Sequence, residues 1–509
     1  MPGLDALDAG LLDPPDVQVG SGPSRVMELT NGAGRIWRID AAGGPQSPST
    51  FALGDFFGAG VASDRLADPR VLYDAVSNRW FASAFDTGTN TILLNVSRTP
   101  DPEGPWALYT FGSTACPDQP RIGFDDDVVV IAADLFTNCA DTEIGLFLGG
   151  KTWVVNKADL VAGRRPAAFV SFGPDGRYSS LTPVHSLGAA TTEFVVSVDD
   201  VSSRVVHLLD VTGVPPAAVN VTEVATLPIR RLDSPPPARQ PDGTPLETND
   251  NRVLDAVREG DRIALTANGA CVPAGETATR ACARVVALSA TAPRAVATDV
   301  DLAPGGADAF FPAVRIDADG NLAVVFGLSS PTAFPSVAVV GISPTGLQTP
   351  PVLVGAGTTS HRTARYGDYF GAARDPTDPR RIWVAGELGT AALGWSTVVG
   401  SVTVNVPEAP PPDTTPPTVK ALTATARRGR VVRLRYRVSD HGGATREIVT
   451  VRRRGKVSRT VRTQVSAKSL RGVAWRAPRR PRGPYTFCVR ARDAAGNTSA
   501  LSCAPIRIR

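Results

Sequence analysis

The 509-residue sequence has no stretch of about 18 consecutive apolar residues, so it predicts no transmembrane helix. Helical periodicity is nearly absent, and short runs of Val, Ile, Phe, Tyr and Thr are separated by Gly, Asp, Asn and Pro. Such runs, for example 128–132, 195–198 and 322–326, are typical of short antiparallel strands. The sequence therefore predicts an all-β protein.

Histidine is scarce, and the motifs of common catalytic sites are missing. A zinc site needs three or four nitrogen or sulfur ligands, and the four histidines are too scattered to supply them. No nucleophile elbow, H-E-x-x-H motif or phosphate-binding loop is present, so no catalytic residue, metal ligand or cofactor is predicted. His361 is the one histidine worth testing, because the polar residues Thr363 and Arg365 follow it. The four histidines are His185, His207, His361 and His441.

Calcium is the one metal for which the sequence offers candidates. Three acidic groups carry oxygen ligands of the kind that Ca²⁺ takes in flexible geometry. They are Asp125–Asp127, Asp199–Asp200 and Asp317 with Asp319. The alternative interpretation is that these groups are ordinary hairpin turns with Asp, Asn and Gly.

The six cysteines fall into three pairs that are close in sequence, and none has C-x-x-C spacing. Such pairs predict disulfides and an oxidising compartment, with buried free thiols as the alternative. The N-terminal segment is acidic and lacks the features of a secretory signal. We expect a secreted or cell-surface protein whose signal lies upstream of this start, or whose export is unconventional. The pairs are Cys116 with Cys139, Cys271 with Cys282, and Cys488 with Cys503.

Acidic residues are rare after a proline-rich seam at 407–417. Residues 418–509 contain 24 Lys and Arg and three acidic residues, a net charge of +21. The rest of the chain contains 29 basic and 46 acidic residues, a net charge of −17. Because 509 residues exceed what one core supports, at least two domains are expected. We predict one domain over 1–405, a linker over 406–417 and a basic domain over 418–509. The polyproline linker favours an extended spacer.

A loose phrase of turn, strand, turn and strand recurs seven times in residues 1–405. Spacings of roughly 50–70 residues leave room for four strands each, which favours a radially repeated β-propeller. Seven blades are predicted, six being the alternative, and a pair of β-sandwiches is the alternative architecture. The phrases begin at Asp16, Asp68, Asp118, Leu181, Asp250, Phe311 and Tyr366.

The phrases DPRVLYDAVSNRWF, FPAVRIDADGN and YGDYFGAARDPTDP resemble those of secreted bacterial β-propellers of the sialidase-like group. The resemblance implies a propeller over most of 12–405. No Asp-box turn of the form S-x-D-x-G-x-x-W is intact, and the sialidase set of three arginines and a tyrosine with its acidic partner has no counterpart at matching positions. The resemblance thus implies a fold and not a catalytic set.

The basic region resembles a bacterial Ig-like or fibronectin-type-III-like module, on the phrases DTTPPTV, VVRLRYRVSD and YTFCVRARDAAGNTSALSC. Leu434, Tyr436 and Val438 alternate with arginines, which predicts a strand with one apolar and one cationic face. Asp493–Asn497 predicts a hairpin turn, which Cys488 and Cys503 would clamp.

The opening phrases supply the candidate ligand-binding residues, because propeller openings lie near the central channel. Carboxylates and guanidiniums there would bind a sugar, a peptide or a cation; the alternative is a ring of ion pairs between blades that closes the propeller. The candidates are Asp68, Arg70, Asp118, Arg121, Asp250, Arg252 and Asp368.

The charge of the basic domain predicts an anionic partner, since arginine forks fit carboxylate and phosphate groups. We expect a monomer that binds an anionic cell-envelope polymer or polysaccharide, rather than nucleic acid. The main hypothesis is a non-catalytic propeller platform retained by this domain; the alternative is a propeller glycoside hydrolase or lyase on an acidic polysaccharide. A third is that the two domains dock on each other. The candidate anion-binding residues are Arg433, Arg435, Arg437, Arg452, Arg453, Arg454, Arg479 and Arg480.

Overall fold

The structure is a computed structural model that describes residues 1–40, 43–46, 48–58, 60–139, 145–199, 202–390, 394–406, 413–440, 444–480 and 483–509. Strands make up 57% of it and helices 3%, which confirms the all-β class. The chain divides into two compact units, Met1–Glu408 (unit 1) and Ala409–Arg509 (unit 2). Half of the predicted linker, 407–412, lies outside the described residues. Within them, no helix has both the length and the apolar character needed to cross a membrane.

The strands of unit 1 form four-stranded sets in chain order. After β1 (Pro2–Asp5), the first set is β2 (Gln18–Ser21), β3 (Arg25–Thr30), β4 (Ala33–Arg38) and β5 (Ser49–Ala52). The second is β6 (Leu66–Asp74), β7 (Arg79–Asp86), β8 (Thr91–Ser97) and β9 (Trp106–Gly112). The third is β10 (Cys116–Phe124), β11 (Val128–Phe136), β12 (Phe147–Asn156) and β13 (Phe169–Asp175). Two short helices, α1 (Leu53–Phe57) and α2 (Lys157–Ala162), and a 3₁₀ turn (Ser63–Arg65) lie between strands.

The later sets follow the same plan. The fourth contains β14 (Thr182–Pro183), β16 (Glu193–Ser197), β17 (Ser202–Thr212) and β18 (Asn220–Asp233), with β15 (His185–Ser186) between its first two strands in sequence. The fifth is β19 (Val253–Glu259), β20 (Arg262–Cys271), β21 (Arg280–Ser289) and β22 (Val296–Leu302). The sixth is β23 (Asp308–Ile316), β24 (Leu322–Ser330), β25 (Ala333–Ile342) and β26 (Val352–Gly355). The seventh is β27 (Gly371–Arg374), β28 (Arg381–Thr390) and β29 (Gly394–Thr403), completed by β1.

The first strands of the seven sets form a closed ring. They contact one another in the order β2, β6, β10, β14, β19, β23 and β27, and β27 contacts β2 again. The N-terminal strand β1 pairs antiparallel with β29, and the Met1 amino group donates a hydrogen bond to the carbonyl of Val399. The last set is thus completed by both ends of the unit, which closes the ring as in a propeller. Unit 1 is therefore propeller-like.

A residue in the left-handed region of φ lies shortly before each inner strand or within its first four residues. Bulky residues rarely adopt this conformation, and Asp and Asn adopt it more readily. Proline follows three of the seven, at positions 69, 120 and 312, and the strand register shifts at the same three places. The recurring phrase of the sequence thus marks a repeated backbone turn; the seven residues are Asp16 (φ 51°), Asp68 (φ 53°), Gln119 (φ 46°), Ser180 (φ 52°), Asn249 (φ 52°), Phe311 (φ 51°) and Gly367 (φ 32°).

Unit 2 consists of two sheets around one apolar core. One sheet has the order β30 (Thr418–Ala421), β32 (Val431–Ser439) and β35 (Leu470–Arg476). The other has the order β31 (Ala424–Ala426), β37 (Ser502–Ile508), β36 (Tyr485–Arg492), β33 (Arg446–Arg453) and β34 (Lys456–Arg462). Leu434, Tyr436 and Val438 are buried in the core as predicted, while Arg433 and Arg435 are exposed. The Ig-like or fibronectin-type-III-like assignment stays a prediction.

Three disulfides are present, in the pairing that the sequence predicts. Cys116 is joined to Cys139, Cys271 to Cys282, and Cys488 to Cys503. The last bond links directly opposite residues of β36 and β37, the strands joined by the 493–497 turn. It therefore clamps the terminal hairpin, where closing a short loop limits the unfolded chain.

Candidate functional site

The seven predicted ligand-binding residues all lie on or beside the inner strands of unit 1, near the left-handed turns. Burial differs among them. The side chains of Asp118, Asp250 and Arg252 are 37%, 33% and 16% exposed, whereas Arg70 and Arg121 are almost fully buried. The set therefore has a partly open rim and a covered interior.

Asp368 is the centre of the hydrogen-bond network in this region. Its Oδ1 accepts a hydrogen bond from Asn249 Nδ2 at 2.8 Å, and its Oδ2 accepts from Gln119 Nε2 at 2.9 Å and from Arg365 Nη2 at 3.0 Å. Its backbone N–H donates to Asp16 Oδ1 at 2.8 Å. Residues at the openings of the first, third, fifth and seventh sets are thus connected through one residue, Asp368.

Asp16, Asp68 and Asp368 form an acidic cluster. Each contributes a carboxylate oxygen, these oxygens lie within 4.8 Å of one another, and all three residues are buried. Burial, followed by the charges of Asp368 and Asp68, raises the pKa of Asp16 above its ordinary value. Burial, followed by the charges of Asp118 and Asp368, raises the pKa of Asp68 to about 7. Carboxylates this close cannot all ionise without repulsion, so the cluster retains protons near neutral pH.

The two buried arginines have hydrogen-bond donors without acceptors. Arg70 is 6% and Arg121 is 2% exposed. The Nε and Nη2 atoms of Arg70, and the Nε and Nη1 atoms of Arg121, have no hydrogen-bond partner among the described residues. Arg121 Nη2 donates to Gln119 Oε1 at 2.9 Å, and the Arg70 guanidinium stacks on the ring of Tyr369. Burial lowers the pKa of Arg121 to about 10, and the neighbouring charge of Arg70 contributes in the same direction.

Both arginines line one cavity between the inner strands. Its wall also includes Gln18, Thr182 and His185. Burial, followed by the charge of Arg315, lowers the pKa of His185, and His185 Nδ1 has no partner among the described residues. The one carboxylate of the lining, Asp255, is paired with Arg315, so the rest of the lining presents mainly donors and cations, which is the chemistry of an anion site.

The rim residues form an ion-paired group that includes a contact between sets. Arg252 Nη2 lies 2.7 Å from Asp250 Oδ2, and Arg252 Nη1 lies 3.9 Å from Asp118 Oδ2 of the third set. Burial raises the pKa of Asp118 to about 6 although Arg252 opposes the shift, and Asp134 adds to it. This part of the site agrees with the alternative in which the opening residues pair between blades.

The other candidates from the sequence lie elsewhere. His361 Nε2 lies 3.1 Å from Glu387 Oε1 inside unit 1; burial would lower the pKa of His361, but the charge of Glu387 raises it to about 9. Asp125 and Asp317 accept hydrogen bonds from backbone N–H groups of their own turns, as aspartates in ordinary hairpin turns do.

The remaining candidates are surface residues or lie outside the described ranges. His207 lies between Asp199 and Glu223 on the surface. His441 and Asp200 lie outside the described residues.

The predicted anion-binding arginines of unit 2 are mostly exposed. Arg452 is half-buried, whereas the other seven present their side chains to solvent. None of the eight forms an ion pair with a described residue; the one ion pair found in the described part of unit 2 joins Arg471 to Glu447, which is completely buried. The exposed residues are Arg433, Arg435, Arg437, Arg453, Arg454, Arg479 and Arg480.

Sequence reasoning missed several members of the central network. Asp16 appeared only as the start of a phrase, and Gln119, Asn249, Arg365 and Tyr369 were not singled out. The signal that was available is position: three of these five are the left-handed residues of their openings. Since side chains at equivalent positions of a ring meet at its centre, aligning the openings would have identified them.

Neither a protein-family model nor a curated protein matches this chain. Solved structures are similar in fold. A polysaccharide lyase, an ulvan lyase, has a TM-score of 0.34 and 11% identity over 67% of this chain and 84% of the other. A glycoside hydrolase has a TM-score of 0.29 and 10% identity over 57% of this chain and 90% of the other. A mutant apocarotenoid oxygenase of Synechocystis has a TM-score of 0.31 and 13% identity over 75% of this chain and 68% of the other. At these TM-scores the likeness carries no argument about this chain.

Proposed function

We propose that unit 1 is a seven-bladed propeller that binds an acidic polysaccharide, and that Arg70 and Arg121 hold one of its carboxylate or sulfate groups. The observation that carries this proposal is the set of unpartnered guanidinium donors on two buried arginines. A buried donor without an acceptor costs about 1–3 kcal/mol, and more when it is charged. An anionic group would satisfy these donors and offset the repulsion between the two cations.

A polymer suits this chain better than a small anion because the chain has two cationic regions. Unit 2 offers exposed arginines without acidic partners among the described residues. When two binding regions are linked, the second contact forms at a high effective concentration, so a polyanion gains affinity that a small anion does not. The three disulfides suggest a non-cytoplasmic protein, for which envelope and extracellular glycans are accessible partners.

The test is calorimetric titration of the full chain with polygalacturonate and with a sulfated glycan. Arg121→Gln and Arg70→Gln are expected to weaken binding at least about tenfold, because hydrogen bonds to charged groups contribute about 1.5–3 kcal/mol. Arg204→Gln, at an exposed position of β17, is the matched control and should bind as the wild type does. Wild-type affinity in both buried variants, with their folding verified by circular dichroism, would exclude the central site.

Hydrolysis of the same polymer is the second candidate. It is favoured by the raised pKa of Asp68, about 7, and of Asp118, about 6. Glycoside hydrolysis needs one protonated and one ionised carboxyl group at working pH. An enzyme would release reducing ends from the glycan, and Asp68→Asn, Asp118→Asn or Asp368→Asn would abolish the release. Release of unsaturated products would instead identify a lyase, and no release with binding intact leaves the non-catalytic platform.

A further inference from the structure

Three of the four acidic residues of unit 2 lie close to one another. Asp413, Asp440 and Asp493 each place a carboxylate oxygen within 4.8 Å of the others. Asp440 directly follows β32, Asp493 directly follows β36, and Asp413 lies shortly before β30. Of the three acids in residues 418–509, only Glu447 lies outside this group.

The arrangement opposes what electrostatics alone would favour. Residues 418–509 contain 24 Lys and Arg, so a carboxylate in this unit has many cations to pair with. Glu447 does so, because its Oε1 accepts hydrogen bonds from Arg471 and Thr445. None of Asp413, Asp440 and Asp493 forms an ion pair with a described residue. Three carboxylates that approach one another repel, and a bound cation is the simplest group that compensates them.

Asp440 supplies an independent indication of a ligand. Asp440 is half-buried as a residue, but both of its carboxylate oxygens are covered, and neither has a hydrogen-bond partner among the described residues. A buried, unpartnered carboxylate is costly unless it is paired or coordinates a metal. Because one oxygen of Asp440 lies within 4.8 Å of oxygens of Asp413 and Asp493, a ligand for Asp440 would lie between the three carboxylates.

The surrounding turn holds the other two aspartates in place. Asn497 donates its backbone N–H to Asp493 Oδ1 at 2.8 Å and its Nδ2 to Asp493 Oδ2 at 3.0 Å. The same Nδ2 lies 2.7 Å from the backbone carbonyl oxygen of Asp413, and the N–H of Thr415 donates to Asp413 Oδ1 at 2.9 Å. Each of these carboxylates keeps lone pairs free for a further ligand, since an ionised carboxylate has about four.

We propose that Asp413, Asp440 and Asp493 form a calcium site in unit 2. The donors are all oxygens, which suits a hard cation and not zinc or copper. Ca²⁺ tolerates irregular geometry and completes its shell with carbonyl oxygens and water, whereas Mg²⁺ demands a near-octahedral arrangement. The ion would tie the segment before β30 to the ends of β32 and β36, and would stabilise one end of the sandwich. This site differs from the acidic turns that the sequence analysis singled out.

The experiment is calorimetric titration of the chelator-treated full chain with CaCl₂. The wild type should bind one Ca²⁺ at this site, and Asp440→Asn and Asp493→Asn should weaken that binding at least a hundredfold. Asp64→Asn, at an exposed position of unit 1, is the matched control and should retain it. Absence of calcium binding in the wild type, unchanged binding in Asp440→Asn, or loss in Asp64→Asn alone would overturn the proposal.

Thermal unfolding separates the site from a merely structural role of Asp440. In a chelator, Asp440→Asn should be as stable as the wild type or more stable, because one repelling charge is gone. With millimolar Ca²⁺ the wild type should gain stability through ligand binding while the variant does not, so that their order reverses. If the variant is less stable than the wild type by the same amount with and without calcium, the proposal is wrong.

Discussion

The guanidinium carbon of Arg70 lies 3.4 Å from the centroid of the Tyr369 ring. Arg70 belongs to β6 of the second set, whereas Tyr369 lies just before β27 of the seventh set. The Tyr369 hydroxyl donates a hydrogen bond to the carbonyl of Pro69 at 3.0 Å, so the tyrosine contacts the second opening twice. A cation stacked on an aromatic face is stabilised by about 0.5–2 kcal/mol. The stack therefore positions Arg70, whose Nε and Nη2 atoms have no hydrogen-bond partner among the described residues.

This relationship predicts different outcomes for two substitutions of the tyrosine. Tyr369→Leu removes the ring and should weaken binding of an acidic glycan about three- to thirtyfold, within the range of a lost cation–π contact. Tyr369→Phe keeps the ring and loses only the hydrogen bond, so glycan affinity should stay within about twofold. Calorimetric titration of both variants checks this, and equal losses in both would show that the hydroxyl and not the stack positions Arg70.

Asp68 predicts a pH dependence of stability. Its pKa is raised from 3.8 in the unfolded chain to about 7 in the folded protein. Between these values the folded state binds more protons, so the contribution of this group to the free energy of unfolding falls as pH rises from about 4 to about 7. Asp68→Asn removes the titration, and the variant should gain stability relative to the wild type as the pH increases over this window. Urea unfolding at pH 5 and pH 8 measures the gain, and a constant difference at both values would contradict it.

The N-terminal strand offers a test of ring closure. Leu4 in β1 is completely buried, and its N–H donates to Glu28 Oε2 of the first set, while β1 pairs with β29 of the last. Leu4→Ala should lower the free energy of unfolding of unit 1 by about 2–5 kcal/mol, the usual range for a buried leucine. Leu7→Ala is the matched control, because Leu7 is 64% exposed and its change should stay within about 0.5 kcal/mol. Similar small effects of both substitutions would show that β1 does not close the ring.

Local sequence patterns predicted the strands better than they predicted the contacts between residues far apart in sequence. Runs such as 128–132 and 322–326 became β11 and β24, and the alternation of Leu434, Tyr436 and Val438 became a buried face, because these depend on neighbours in sequence. The contact between Gln119 and Asp368 spans 249 residues and exists only because the ring closes. No local pattern encodes such a contact.

The same reason explains the pairing of β1 and the convergence in unit 2. An acidic N-terminal segment gives no local sign that Pro2–Asp5 completes the last set. In the sequence, Asp440 is one acid among many arginines, and Asp493 is the first residue of a predicted turn. Their proximity follows from how the two sheets pack, which a single sequence does not display.

The exposed arginines of β32 predict a salt-dependent association with anionic envelopes. Arg433, Arg435 and Arg437 project from the outer face of their sheet, and no described acidic residue pairs with them. Attraction between exposed charges is screened beyond about 8–10 Å at physiological salt, so binding should fall steeply as NaCl rises. Replacing all three by Gln in the full chain should weaken retention on isolated bacterial envelope at low salt and flatten its dependence on NaCl. Thr486→Ser is a control at a half-buried position of the other sheet that leaves the charge unchanged. Cosedimentation across a series of NaCl concentrations measures both variants, and retention by the triple variant equal to that of the wild type would show that this face does not bind the envelope.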